Sequence, residues 1–194
     1  TNVAGETQAS TYSLGVGNRS MLLGAEIQNP VCKEDSIKLT FKATNLDGQP
    51  VSVEGNYKLY PVVGGAKSEE VMKGTPAYTG TFVSNKETLL PGWTSVPSGE
   101  YLLVMSAKDD QGREVTGEEE VILFSIKDKR PPVDKAIWYY AENTSFDAAH
   151  PAVFYFGTSK KDAYVMMNLF SGNRMLESKV LRLSDSIERF EYPY

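Results

Sequence analysis

His150 is the sole histidine of this chain and Cys32 its sole thiol, so nucleophilic catalysis of the Ser-His-Asp or Cys-His kind would have to run through one of them. His150 stands in Ala148-Ala149-His150-Pro151, a turn sequence ahead of an apolar run, and there is no Gly-x-Ser-x-Gly elbow. It reads as a loop histidine without catalytic duty. Cys32, in Val31-Cys32-Lys33-Glu34-Asp35, reads as a small apolar residue at the start of a strand, since a nucleophile would need a depressed pKa. One Cys and one His cannot build a closed zinc site or a disulfide framework within a single copy. Gly15-Val16-Gly17-Asn18-Arg19-Ser20 has the glycines of a phosphate loop but not its Lys-Ser/Thr ending. Among the carboxylates, Glu118-Glu119-Glu120 reads as a solvated turn leading into a strand. Asp109-Asp110 reads as a turn opener with too few alternating oxygen ligands for a calcium loop. No catalytic residue, metal ligand or cofactor site follows from these patterns.

Two further sets of residues are candidates for binding or modification. Trp93, Trp138, Tyr139 and Tyr140 could stack on a sugar or ligand, or could anchor a core or a domain interface. Asp35-Ser36-Ile37 and Asp185-Ser186-Ile187 are identical triplets that resemble the O-glycosylation acceptor motif of some bacterial envelope proteins, which makes Ser36 and Ser186 acceptor candidates. Asn18-Arg19-Ser20 and Asn143-Thr144-Ser145 match the eukaryotic sequon, relevant only to a chain secreted through an endoplasmic reticulum.

The elements that must position these residues are strands. In Ser36 to Thr44, Ile37, Leu39, Phe41 and Ala43 point one way and Lys38, Thr40, Lys42 and Thr44 the other, which is the period-two signature of a half-buried strand. The same alternation marks Val51 to Tyr60 (Val53, Tyr57, Leu59) and Tyr101 to Ala107 (Tyr101, Leu103, Met105), and Val121 to Ile126 is a denser apolar run. Turn clusters separate them: Asn45-Leu46-Asp47-Gly48-Gln49-Pro50, Pro91-Gly92, Pro97-Ser98-Gly99 and Asp109-Asp110-Gln111-Gly112. No window carries sustained helical periodicity. Strands of this length and spacing predict an antiparallel β-sandwich.

With 194 residues, 41% apolar and 23% charged, the chain is long enough for two modules. Lys127-Asp128-Lys129-Arg130-Pro131-Pro132 is a charged run closed by two prolines and reads as a linker. Strand patterns restart at Ala136 to Tyr140, Ala152 to Phe156, Ala163 to Phe170, Met175 to Leu183 and Ile187 to Tyr192. The expected fold is therefore all-β, with two consecutive Ig-like antiparallel sandwiches. The first covers 1–127, of which 1–27 is its first strand or the tail of a preceding domain; 128–135 is linker; 136–194 is a second, incomplete sandwich. Thr11 to Val16 and Ser20 to Ile27 are the strand-like stretches at the front. A net charge of -5 and a pI near 5.0 argue against nucleic acid and anionic membrane surfaces as partners. No apolar run could span a bilayer. The chain opens on Thr1 without a basic n-region, so any targeting signal is expected outside it, and the whole reads as a piece of something longer.

Asn45-Leu46-Asp47-Gly48-Gln49-Pro50-Val51, then Pro97-Ser98-Gly99-Glu100-Tyr101, then Asp110-Gln111-Gly112-Arg113 resembles the strand-turn grammar of macroglobulin domains in bacterial alpha-2-macroglobulins. The stretch from Ile137-Trp138-Tyr139-Tyr140 through His150 to Ser159, Leu181 to Ser184 and Phe190 to Tyr194 is similar to the start of a further macroglobulin-like domain in large members. Together these cover most of residues 30 to 194. The resemblance implies non-catalytic scaffold modules of a periplasmic or envelope-anchored protein that entraps endopeptidases, contacting neighbouring domains of the same chain and not inserted in the membrane directly. The family's thioester lies in a Cys-x-Glu-Gln motif on a helical domain. Cys32 is followed by Lys33, Glu34 and Asp35, so no thioester residue is carried over. The rival expectation is an Ig-like glycan- or ligand-binding module of a surface protein.

Overall fold

The computed structural model describes residues 20–142, 147 and 149–192. Almost all of the regular structure is strand: β1 (Met21–Ile27), β2 (Val31–Cys32), β3 (Lys38–Asn45), β4 (Glu54–Pro61), β5 (Tyr78–Val83), β6 (Glu87–Leu89), β7 (Gly99–Lys108) and β8 (Glu114–Phe124). A one-turn helix, α1 (Ser68–Val71), and a 3-10 helix at Pro91–Ser95 interrupt them. Beyond residue 135 come β9 (Trp138–Ala141), β10 (Ala152–Thr158), β11 (Ala163–Ser171), β12 (Arg174–Leu183) and β13 (Ser186–Tyr192).

The first eight strands make a sandwich. One sheet runs β2-β8-β7-β4-β5 and the other β1-β3-β6, antiparallel throughout except for the short parallel pairing of Val31 and Cys32 with Leu123 and Phe124. The face read from the alternation in β3 is the buried one: Leu39, Phe41 and Ala43 meet Tyr57 and Leu59 of β4, Leu103 and Met105 of β7, and Val115, Val121 and Leu123 of β8. β1 belongs to this sandwich, pairing with β3 from Met21↔Asn45 to Ile27↔Leu39 and burying Met21 in the same core. The expected strand at Thr11 to Val16 lies outside the described residues.

Three corrections to the sequence reading have local causes. Val51 and Val53 precede β4 instead of belonging to it, because Val53 N donates to Ser84 Oγ and Val51 N to Ala43 O, bonds that keep this stretch out of the β4 ladder. β5 was hidden by Gly80, but a Cβ there would sit 2.5 Å from the Tyr57 ring, so the glycine makes room for an aromatic on the neighbouring strand. Glu118-Glu119-Glu120 is not a turn: it lies inside β8, paired with Val104, Leu103 and Leu102 of β7. Alternation places Glu119 inward toward β1, where burial raises its carboxyl pKa and the Ala25 amide partly offsets this.

Past residue 135, β13-β10-β9 form one antiparallel sheet and β11-β12 a separate hairpin with a bulge between Leu169 and Phe170. The segment between the two groups of strands is bonded on both sides. Ser125 N donates to Asp128 Oδ2, Ile187 N to Lys129 O and Ser159 N to Lys135 O; Arg130 pairs with Asp185 at 3.0 Å, and Val133 is buried.

Candidate functional site

Strand alternation separates the candidate aromatics. Trp138 and Tyr140 point to one face of β9 and are buried, while Tyr139 between them points to the other and is 60% exposed. Trp93, on the 3-10 helix, is in the first core, edge-on to Tyr57 at 6.2 Å. An open stacking platform of all four is therefore not formed, because a period of two cannot put three consecutive strand residues on one side. The indole Nε1 of Trp138 makes no hydrogen bond among the described residues, and that of Trp93 has only the Tyr57 hydroxyl nearby, without good hydrogen-bond geometry. Each unpaired N–H costs about 1–3 kcal/mol, less than the roughly 5 kcal/mol gained by removing about 200 Å² of indole surface from water.

Trp138 and Tyr140 converge on Phe124, the last residue of β8. Their ring centroids lie 5.2 and 4.5 Å from that of Phe124, both edge-on. Cys32, Val133, Val153 and Tyr155 complete this second core, so it is built from both groups of strands. Polar bonds rim it. The Glu34 carboxylate accepts from Ser125 Oγ at 2.6 Å, from Ile126 N at 3.1 Å and from Cys32 Sγ at 3.4 Å. Burial would raise the Glu34 pKa, but those donors outweigh it and hold the carboxyl below its usual range. Next to it, Tyr140 Oη donates to Asp35 Oδ2 at 3.4 Å; burial and the Asp35 charge push the phenol well above its ordinary pKa. Burial likewise pushes the Cys32 thiol up to about 11, the wrong direction for a nucleophile.

The remaining candidates are dispersed. His150 is exposed, its Nδ1 3.0 Å from Asp147 Oδ1; the Ala149 amide and the His150 ring hold Asp147 below its usual pKa. Ser36 is exposed in the turn before β3. Ser186 is half-buried at the start of β13, its Oγ accepting from Ser184 N. The glycine-rich stretch before Ser20 and both sequons lie wholly or mainly outside the described residues.

The turn motifs form local hydrogen-bond devices. Asn45 Oδ1 accepts from Asp47 N and Gln49 N, and Gly48 takes the left-handed φ of +78° that the turn requires. Tyr101 Oη donates back to Pro97 O at 2.8 Å, a tie like the tyrosine corner of Ig sandwiches. Asp109 Oδ1 accepts from the amides of Gln111 and Arg113, and its Oδ2 from Arg113 Nε and Ser20 Oγ. Burial works against ionisation there, yet these bonds, led by the Arg113 amide and guanidinium, hold the carboxyl at about 2. Sequence reading missed the partner of this carboxylate, Ser20, because it lies 89 residues away.

No family model matches the chain, and no curated protein matches it. Among solved structures it is similar to native alpha-2-macroglobulin of E. coli seen by cryo-EM, at a TM-score of 0.40 and 14% identity, over 90% of this chain and 14% of that one. It is also similar to the trypsin-activated E. coli protein in its crystal structure, at a TM-score of 0.39 and 15% identity, over 90% of this chain and 15% of that one. The chain thus spans about one seventh of the length of these structures.

Proposed function

We propose that this chain is a rigid, non-catalytic spacer within a larger alpha-2-macroglobulin-like protein of the cell envelope, and that it sets the orientation of neighbouring domains in a device that entraps endopeptidases. The observation that carries the spacer role is the shared core around Phe124. A flexible linker would leave two sandwiches free to rotate, whereas buried rings contributed by both groups of strands resist rotation through their packing. The Glu34 and Asp35 bonds add direction to that packing. The entrapment role and the envelope setting rest on the turn grammar, whose residues close strand ends by the bonds described above.

The test uses the longest natural chain that contains these residues. Incubated with an endopeptidase, it should shield a large protein substrate from cleavage while a small peptide substrate is still cut. Unchanged cleavage of the large substrate overturns the entrapment reading and leaves the spacer reading to be judged by the rigidity measurement given below.

A second reading, a ligand- or glycan-binding surface, has one supporting observation. On the face of β13-β10-β9 away from Phe124, Tyr139 pairs across strands with Phe156, and Phe154 stacks on Phe190 and Tyr192 at 5.5 and 5.8 Å. A soluble-glycan titration followed by tyrosine fluorescence should then respond, and Tyr139→Ala should abolish the response.

A further inference from the structure

We propose that the outer face of the β11–β12 hairpin is the surface through which two copies of this chain associate. The sequence of β11, from Ala163 to Ser171, carries no charged residue in nine positions. Its alternation puts Tyr164, Met166, Asn168 and Phe170 on one side. The register sets Arg182 beside Tyr164, Val180 beside Met166, Ser178 beside Asn168 and Met175 beside Phe170, and the bulge inserts Leu176 next to Met175. Six large apolar residues of this hairpin, Tyr164, Met166, Phe170, Met175, Leu176 and Val180, are between 54% and 71% exposed.

The hairpin's opposite face is already used. Ala163, Val165, Met167, Leu169 and Leu181 are half-buried there, and Tyr192 Oη donates to Glu177 Oε2 at 2.5 Å. One side of a two-stranded ribbon is thus anchored and the other is bare, although an isolated pair of strands has little stability of its own.

Area and charge select a second copy as the occupant. The six side chains present roughly 600 Å² per copy, so two copies would bury about 1,200 Å², at the lower bound of specific protein interfaces. The centre of the face is neutral, with Ser178 Oγ donating to Asn168 Oδ1 at 2.8 Å. Its flanking cation, Arg182, is compensated by Asp162 at 2.7 Å and lies 6.0 Å from the Tyr164 ring centroid. Two such faces related by a two-fold axis bring no uncompensated like charges together. An oppositely charged partner would find no unpaired charge at the centre, and a net charge of -5 disfavours an anionic lipid surface.

Sedimentation velocity of the longest natural chain that contains these residues, over about 1 to 200 μM, should show a reversible monomer–dimer equilibrium in the micromolar range. Val180→Lys and Met166→Lys should each weaken it by at least about 100-fold, while Val63→Lys, at an exposed apolar residue of the first sandwich, should leave it unchanged. Mixing Val180→Lys with Val180→Glu copies should restore a heterodimer. Should the variants fail to fold by circular dichroism, the wild-type chain still decides. Peroxide oxidation of Met166 and Met175 should slow several-fold on concentration, with Met72 as the unchanged reference. A chain that stays monomeric, a dimer indifferent to both lysine substitutions, or oxidation rates independent of concentration overturns the proposal.

Discussion

The ring of Phe124, where β8 ends, takes the edge of the Trp138 indole at 5.2 Å between centroids and 70° between planes. Leu123 points into the first sandwich, and its neighbour Phe124, on the opposite face of β8, forms the floor of the next group of strands. The residues between them, two prolines included, are held down by bonds on both sides.

Truncating that floor should loosen both stability and shape. Phe124→Ala removes a ring that is 1% exposed and is predicted to cost about 3 kcal/mol or more in urea unfolding. Small-angle scattering of the variant should show a broadened distance distribution. A wild-type profile that already requires several orientations would sink the rigid-spacer reading.

Asp109 should give the chain part of its acid sensitivity. Its folded pKa of about 2 lies below its ordinary 3.8, so the stabilisation is complete above 3.8 and is lost as pH falls toward 2. Asp109→Asn should lower the melting temperature at pH 7 and flatten the melting-temperature profile between pH 4 and pH 2. A variant with the wild-type slope would refute the assignment.

Gly80 and Gly48 should respond to alanine for different reasons. At Gly80 the new methyl would lie 2.5 Å from the Tyr57 ring, an overpacking predicted to cost about 1–3 kcal/mol. At Gly48 nothing lies within 4 Å, and only the φ of +78° opposes the change, at about 1–2 kcal/mol. Gly48→Asn, which tolerates that backbone, should recover most of the loss, whereas Gly80→Asn should not; chemical denaturation of the four variants separates the cases.

Cys32 should be nearly inert in the folded chain. A thiol at about 11 is roughly one part in a thousand thiolate at pH 8, and the residue is 6% exposed. Labelling with a thiol-specific disulfide reagent should be slow in buffer and immediate in concentrated urea. Fast native labelling would show that the second core opens readily.

Alternation was legible wherever one side of a strand faces a core and the other water. Ile37, Leu39, Phe41 and Ala43 were read correctly as one buried face because burial and period coincide there. β5 escaped because Gly80 breaks the apolar rhythm, and its reason for being glycine, the Tyr57 ring, sits 23 positions away. The acidic triplet was misread because a charged run resembles a solvated loop; pairing with β7 and the approach of β1 keep it in a strand.

What the sequence determined by itself is the local physics: strand faces, the turn residues Asn45, Gly48, Asp109 and Gly112 that close strand ends, and the scarcity of thiol and imidazole that limits chemistry. What only tertiary structure decided is which surfaces meet. Whether Trp138, Tyr139 and Tyr140 face a ligand, a core or water depends on what packs against each side of β9, and Phe124, which meets two of them, belongs to a strand of the other sandwich. Alternation can divide a strand into two faces, but only the packing of distant residues chooses which face is buried.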